Sequence, residues 1–370
     1  MKSTNIKAHK PDYQLAIVVF VLIILGLVLI SSASVVISYT LFGTTTYYLY
    51  RQIIAVIIGL IVWLLFQNID YHFWKKWAFP LLIVTTVLLI TVFVPGLGVA
   101  FGGAKRWVNF RLFSIQPAEI CKLSFILYLA LWFEKKGEGI KSFTYGLMPF
   151  IALSLILAIL IIAQPDMGTM FVIIMVGGVM FFAAGGRLSH VLLMISGGFA
   201  ALWALIKIAP YRLARLTVWL NPRSDTQGIG YHINQALLAI GSGGLLGLGF
   251  GLSRQKYNYL PEVVGDSIFA IIAEELGFIK SVFIILLFLF LAYRGFKIAR
   301  LAPDTFGRLV ATGITSWLVF QAIINIGAML SIFPLTGIPL PFISYGGTSL
   351  VVSLAAIGIL MNISKQTVKE

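Results

Sequence analysis

Acidic side chains are scarce in this sequence. Thirteen Asp and Glu stand against 27 Lys and Arg among 370 residues, and charged residues of both signs amount to 11%. Soluble globular proteins carry about 25%, so this chain lacks the charge to cover a water-facing surface and a soluble domain is excluded. One cysteine, Cys121, excludes an intrachain disulfide. The four histidines, His9, His72, His190 and His232, are scattered and make no recognisable metal set. The glycines occur in no strand–helix context, which excludes a Walker loop or dinucleotide fingerprint. No internal repeat is evident, which weakens an inverted-repeat transporter.

What the chain has is apolar length. It is 59% hydrophobic, with a mean hydropathy of +0.99. Runs able to cross roughly 30 Å of hydrocarbon as helices recur at 15–37, 49–67, 78–95, 115–133, 146–163, 167–184, 189–208, 265–293, 306–331 and 342–363. The expectation is an all-α, polytopic membrane protein of about ten spans in a single domain, 1–370. The first run is longer than the usual signal-peptide core, so it reads as a retained span. The one large connection is 209–264.

Ten spans place both termini on one side. With that side inside, about fifteen Lys and Arg lie inside and about nine outside, which favours cytoplasmic termini. The outward cations are themselves notable: Lys105, Arg106, Arg111, Arg212, Arg215, Arg223, Arg254 and Lys256 suit an anionic partner. In the long loop, HINQALLAIGSGG reads as a short amphipathic helix with Gln235 on its polar edge. The run GSGGLLGLGFG, Gly241 to Gly251, alternates glycine with apolar residues. It reads as backbone packed against the membrane surface or a lipid.

The scarce acids cluster. Glu262, Asp266, Glu274 and Glu275 all fall in YLPEVVGDSIFAIIAEELGF. Asp266 has two readings at this point: a helix N-cap worth about 1 kcal/mol, or a reactive carboxylate. A charge deep in a span costs about 2.5–3.5 kcal/mol on insertion scales and normally faces the bundle interior. Glu274 and Glu275 therefore read as polar bracing, with Lys280 available to balance one of them. Glu119 and Lys122, spaced i, i+3, allow an internal ion pair. With FPLTGIPLPFISYGGTSL, residues 333–350, these segments gather acids and cations above one apolar wall, a site for an amphiphile with an anionic headgroup.

The motifs KRWVNF, IQPAEICKLS, NPRSDTQGIGYHINQALLAIGSGGLLGLGFG, SRQKYNYLPEVVGDSIFAIIAEELGF and TGIPLPFISYGGTSL resemble those of the SEDS proteins (shape, elongation, division and sporulation). This is the FtsW/RodA/SpoVE membrane family, and SRQKYNYLPE leans towards the FtsW branch. The resemblance covers nearly the whole chain. It implies a peptidoglycan glycosyltransferase that polymerises lipid II at the outer leaflet of the bacterial inner membrane and releases undecaprenyl pyrophosphate. It also implies a class B penicillin-binding protein and other division-complex membrane proteins as partners, and no nucleic acid.

The family's essential aspartate falls on Asp266, and its polar pair on Glu119 and Lys122. Where members often read Thr-Asp-Phe, this chain has Gly265-Asp266-Ser267, and where some carry an arginine it has Ser114. On this reading Asp266 is the general base. Arg212, Arg215, Arg254 and Lys256 are candidates for pyrophosphate contact, Lys122 reaches the cavity positioned by Glu119, and Gln235 lies at its edge. Trp107 packs on a sugar or isoprenoid, or anchors the interface. A divalent cation, Mg or Mn, would suit the pyrophosphate, although no ligand set demonstrates one. The rival readings are a lipid II flippase and a non-catalytic scaffold recruiting a transpeptidase.

Overall fold

The computed structural model describes residues 9–101, 104–110, 114–208, 210–221 and 228–368. Ten long helices form the bundle: α1 (Tyr13–Ala33), α3 (Tyr47–Asn68), α4 (Phe73–Thr91), α5 (Pro117–Lys136), α6 (Met148–Ala163), α7 (Met167–Ala183), α8 (Leu188–Ile208), α11 (Ile268–Leu301), α12 (Thr305–Met329) and α13 (Gly347–Ser364). Each matches one expected span. Among the described residues, seven helical segments are long and apolar enough to cross a membrane on those grounds alone, and α7 and part of α8 are shorter apolar helices. The protein is thus an all-α, multi-pass membrane protein. Short helices α2 (Val35–Phe42), α9 (Pro210–Leu220) and α10 (Ile229–Ser242) lie in the connections.

Burial follows the demands of lipid. α12 and α13 are buried over most of their length, and they carry polar side chains such as Gln321, Asn325 and Ser353 turned inward. Outer helices such as α3 and α4 expose Ile, Leu and Phe, as a hydrocarbon solvent requires. Helix α1 is part of the bundle, with Leu15, Leu22 and Ile30 fully buried. At one end of the bundle the segment before α1 meets the segment after α13, since the His9 N–H donates to the Lys365 carbonyl at 2.8 Å. That end also holds Asp12 paired with Arg294.

At the opposite end the connection between α4 and α5 forms a small antiparallel sheet that the all-helical expectation omitted: β1 (Gly98–Phe101), β2 (Ala104–Asn109) and β3 (Ser114–Ile115), in that order. Val99 pairs with Trp107 and Val108 with Ile115. Three strands of two to six residues leave little periodic signal against the long apolar runs on either side.

Helix α11 is broken at Gly277, where φ is 79° and ψ −178°. A break inside a span strands backbone groups that lipid cannot satisfy. Here the glycine-rich run after α10 satisfies them. The Leu248 and Gly249 N–H groups donate to the carbonyls of Glu274 and Glu275 at 2.9 and 3.1 Å, while Phe278 and Ile279 donate to the carbonyls of Gly244 and Leu245 at 2.9 and 3.2 Å. The run therefore packs on a helix of its own chain. Four unsatisfied groups on α11 recruit its backbone, while the side chains of Leu245, Leu246 and Phe250 stay exposed.

Candidate active site

Asp266 lies in the turn entering α11. The helix begins at Ile268 with Ser267 before it and no side-chain cap, so Asp266 does not serve as N-cap. The turn is tied to α12 and to the segment between α12 and α13. Asn325 Nδ2 donates to the Asp266 carbonyl at 2.8 Å, Ser344 Oγ to the Gly265 carbonyl at 2.7 Å, and the Tyr345 N–H to the Val264 carbonyl at 2.8 Å. The half-buried Asp266 carboxyl faces Gly337. From the point where a Cβ on Gly337 would sit, Asp266 Oδ2 is 3.8 Å away and Arg106 Nη1 4.0 Å. A carboxylate and a guanidinium thus border one small space.

Arg106 reaches that space from β2. Its Nε donates to the Gln164 carbonyl at 3.2 Å and a second nitrogen donates to the Pro165 carbonyl. The turn between α6 and α7 therefore aims the guanidinium. On the other side, His232 of α10 contacts Ser267 Oγ through Nε2 at 2.6 Å, and Ser267 Oγ lies 2.7 Å from the Pro261 carbonyl. A carbonyl only accepts, so the serine donates to it and the histidine carries its proton on Nε2. Glu262 stands nearby with a φ of 51°. Desolvation pushes its carboxyl above the usual range and the charge of Asp266 pushes it further, while His232 opposes.

Other expected site residues fall in different places. Lys256 is 4% exposed. Its ammonium donates to Glu275 Oε1 at 3.0 Å, to Ser32 Oγ at 3.1 Å and to the Gly251 carbonyl at 2.6 Å. With three donors in use, it has none for a pyrophosphate, and the structure moves Lys256 from substrate contact to scaffold. Glu275 takes this partner in place of Lys280, which is exposed. Glu274 accepts from Ser253 Oγ and from the Arg254 N–H at 3.0 Å. Both glutamates thus brace the loop against α11.

Glu119 and Lys122 form the expected ion pair at 2.8 Å, but they are only 1% and 3% exposed. Lys122 also donates to Gln321 Oε1 at 2.7 Å and lies over the Trp317 ring. The pair is closed off from solvent. Its link to the site runs through Gln321, whose Nε2 donates to the Pro339 carbonyl at 2.9 Å.

Arg254 is exposed on the loop, while Trp107 on β2 and Gln235 on α10 are half-buried. Arg212 and Arg215 belong to α9, and their side chains lie outside what the structure describes, as do Arg111 and Arg223. Among the described residues no three His, Cys, Asp or Glu side chains gather into a metal set. Arg106 and Asn325 are functional candidates the sequence reading did not single out. Arg106 was visible as an outward cation in KRWVNF, whereas nothing in the local sequence marks Asn325.

These features define an integral membrane protein that carries a carboxylate–guanidinium site at one mouth of a ten-helix bundle. The chain belongs to the FtsW, RodA and SpoVE family, described as cell cycle proteins, whose model matches residues 13–369. It is 42% identical to stage V sporulation protein E of Bacillus subtilis over 97% of this chain and 98% of that one. It is 40% identical to a probable peptidoglycan glycosyltransferase FtsW of Trichlorobacter lovleyi, over 95% of this chain and 93% of that one. Its fold is similar to a chain from a study of how a peptidoglycan synthase complex coordinates polymerization and crosslinking (TM-score 0.79, 28% identity, covering 96% of this chain and 97% of that one). The crystal structure of the Thermus thermophilus rod shape determining protein RodA is similar too (TM-score 0.71, 28% identity, covering 97% and 98%).

Proposed function

We propose that this protein is a peptidoglycan glycosyltransferase that polymerises lipid II, with Asp266 as general base. The observation that carries the reading is the convergence of Asp266 Oδ2 and Arg106 Nη1 on the space over Gly337. A sugar 4-hydroxyl attacks the anomeric carbon of a pyrophosphate-linked sugar. The carboxylate takes the hydroxyl proton, the bond from carbon to pyrophosphate oxygen breaks, and undecaprenyl pyrophosphate leaves with the electron pair. An α-linked donor gives a β-1,4 product by one inversion, which needs a base and no covalent intermediate. Arg106 faces the charge that develops on the leaving group, with Arg254 and, on α9, Arg212 and Arg215 as further phosphate contacts. Trp107 and Gln235 border the sugar. Should a divalent ion accompany the pyrophosphate, Asp266 and Glu262 are the acids nearest to hold it.

The Lys and Arg distribution supports cytoplasmic termini in the inner membrane and a site facing outward. The names of the relatives and the synthase-complex neighbour support a polymerase working beside a crosslinking transpeptidase of the class B penicillin-binding type. The stretch SRQKYNYLPE supports a division role over elongation. The test is polymerisation of labelled lipid II by the full chain reconstituted with its transpeptidase. Asp266→Asn is expected to fold, keep its partner and bind lipid II while making no glycan. Normal polymer from that variant overturns the base assignment, and headgroup translocation without polymer by the unaltered protein favours a flippase.

A further inference from the structure

Trp317, Gln321 and Asn325 stand one turn apart on α12 and form a buried polar row. The Trp317 indole donates to Gln321 Oε1 at 2.8 Å, and Gln321 in turn holds Pro339. Asn325 differs from a routine helix asparagine, which returns its side chain to the carbonyl a turn earlier. Both of its amide protons leave α12. One goes to the carbonyl of Asp266 and the other to the carbonyl of Ile338, each at 2.8 Å. Its Oδ1 is buried without a partner among the described residues, a cost of about 1–3 kcal/mol.

These two acceptors are the two walls of the site. The first belongs to the residue whose carboxylate takes the proton. The second belongs to the residue after Gly337, over which that carboxylate meets Arg106. A planar amide with both donors committed holds the two carbonyls at a set separation. That fixes the direction in which the Asp266 side chain leaves the backbone relative to the space where the attacking hydroxyl must lie. We propose that Asn325 is a positioning residue for the reaction, acting through Asp266. The proposal rests on the assignment of Asp266 as base given above.

The positioning requirement is steep, because a displacement of about 1 Å at a reacting group costs on the order of a hundredfold in rate. The experiment measures lipid II polymerisation, lipid II concentration dependence and thermal unfolding for the full chain with its transpeptidase. It compares Asn325→Leu, which removes both donors, with Asn325→Ser, which retains one hydroxyl donor. The expected result is a fall in kcat of about thirty- to a hundredfold for Asn325→Leu and a smaller fall for Asn325→Ser. KM should stay within about twofold, since the remote parts of the substrate are bound as before, and the melting temperature of the serine variant should stay close to that of the parent.

Unchanged kcat in folded variants overturns the proposal. So does a fall in kcat accompanied by an equal loss of lipid II affinity and of thermal stability, or failure of both variants to fold, because each assigns the amide to structure alone. Asp266→Asn run in parallel separates the two layers. Polymer from that variant sinks the base reading, whereas an inactive Asp266→Asn beside fully active Asn325 variants sinks only this one.

Discussion

Gly277 of α11 and Gly247 of the glycine-rich run lie backbone to backbone, so close that a methyl group on Gly277 would collide with the Gly247 nitrogen. The contact makes the first turns of α11 and the loop a single unit. That unit carries Asp266 at one edge and is braced inside by the pairing of Lys256 with Glu275.

Gly277→Ala and Gly247→Ala are each expected to destabilise the protein by about 2–3 kcal/mol or more. Both positions have positive φ, 79° and 89°, and both added methyls meet backbone, which cannot yield as a side chain can. Gly241→Ala on α10, with open space around it, is expected to be neutral or slightly stabilising. Melting of the detergent-solubilised protein reads all three. Equal melting temperatures would refute the intercalated loop.

Removing one member of the buried Lys256–Glu275 pair strands the other in a low-dielectric interior. Lys256→Met is expected to cost about 3–5 kcal/mol. Combining it with Glu275→Leu should recover most of that loss, because no charge is then left behind. In whatever fraction remains folded, turnover per molecule should match the parent. A folded, stable Lys256→Met protein with collapsed polymerisation would return Lys256 to the substrate contacts.

Asp304 caps α12 at the end of the bundle where His9 meets Lys365. Its carboxylate accepts from the Gly307 N–H at 2.6 Å, the Tyr71 hydroxyl at 2.8 Å and the His72 ring at 2.6 Å. Burial pushes the carboxyl up, but these bonds outweigh it and hold Asp304 below its ordinary value of 3.8. The native state thus binds this proton less readily than the unfolded chain does. The stabilisation is present above the ordinary value and is lost as pH falls through the lowered one. Melting temperature should hold from neutral pH to about pH 5 and drop below about pH 4, and Asp304→Asn should flatten the drop. An equally steep decline in that variant would assign the acid sensitivity elsewhere.

Arg106→Lys tests the guanidinium directly. A lysine cannot hold the Gln164 and Pro165 carbonyls and still present a second nitrogen over Gly337. Turnover is expected to fall about ten- to a hundredfold, whereas Lys105→Gln, at an exposed neighbouring position, should remain near parental activity. Polymer length and yield from lipid II distinguish the two, and full activity of Arg106→Lys would remove Arg106 from the site.

Much of this protein is written locally. Ten spans follow from hydropathy and length, because lipid imposes the same requirement on every crossing wherever it falls in the chain. The acids of 259–278 stand out because carboxylates are expensive there, and the pair Glu119–Lys122 is a matter of helical spacing alone. What only tertiary structure decided are the pairings across distance. Glu275 is balanced by Lys256 from the loop, although Lys280 is nearer in sequence. The glycine run closes a break in α11 with its backbone. Arg106 and Asn325 reach Asp266 from elements far from it in the chain. Periodicity reports which face of a segment avoids lipid. It carries no information about which distant donor will fill a stranded carbonyl, and that choice is settled only when the helices pack.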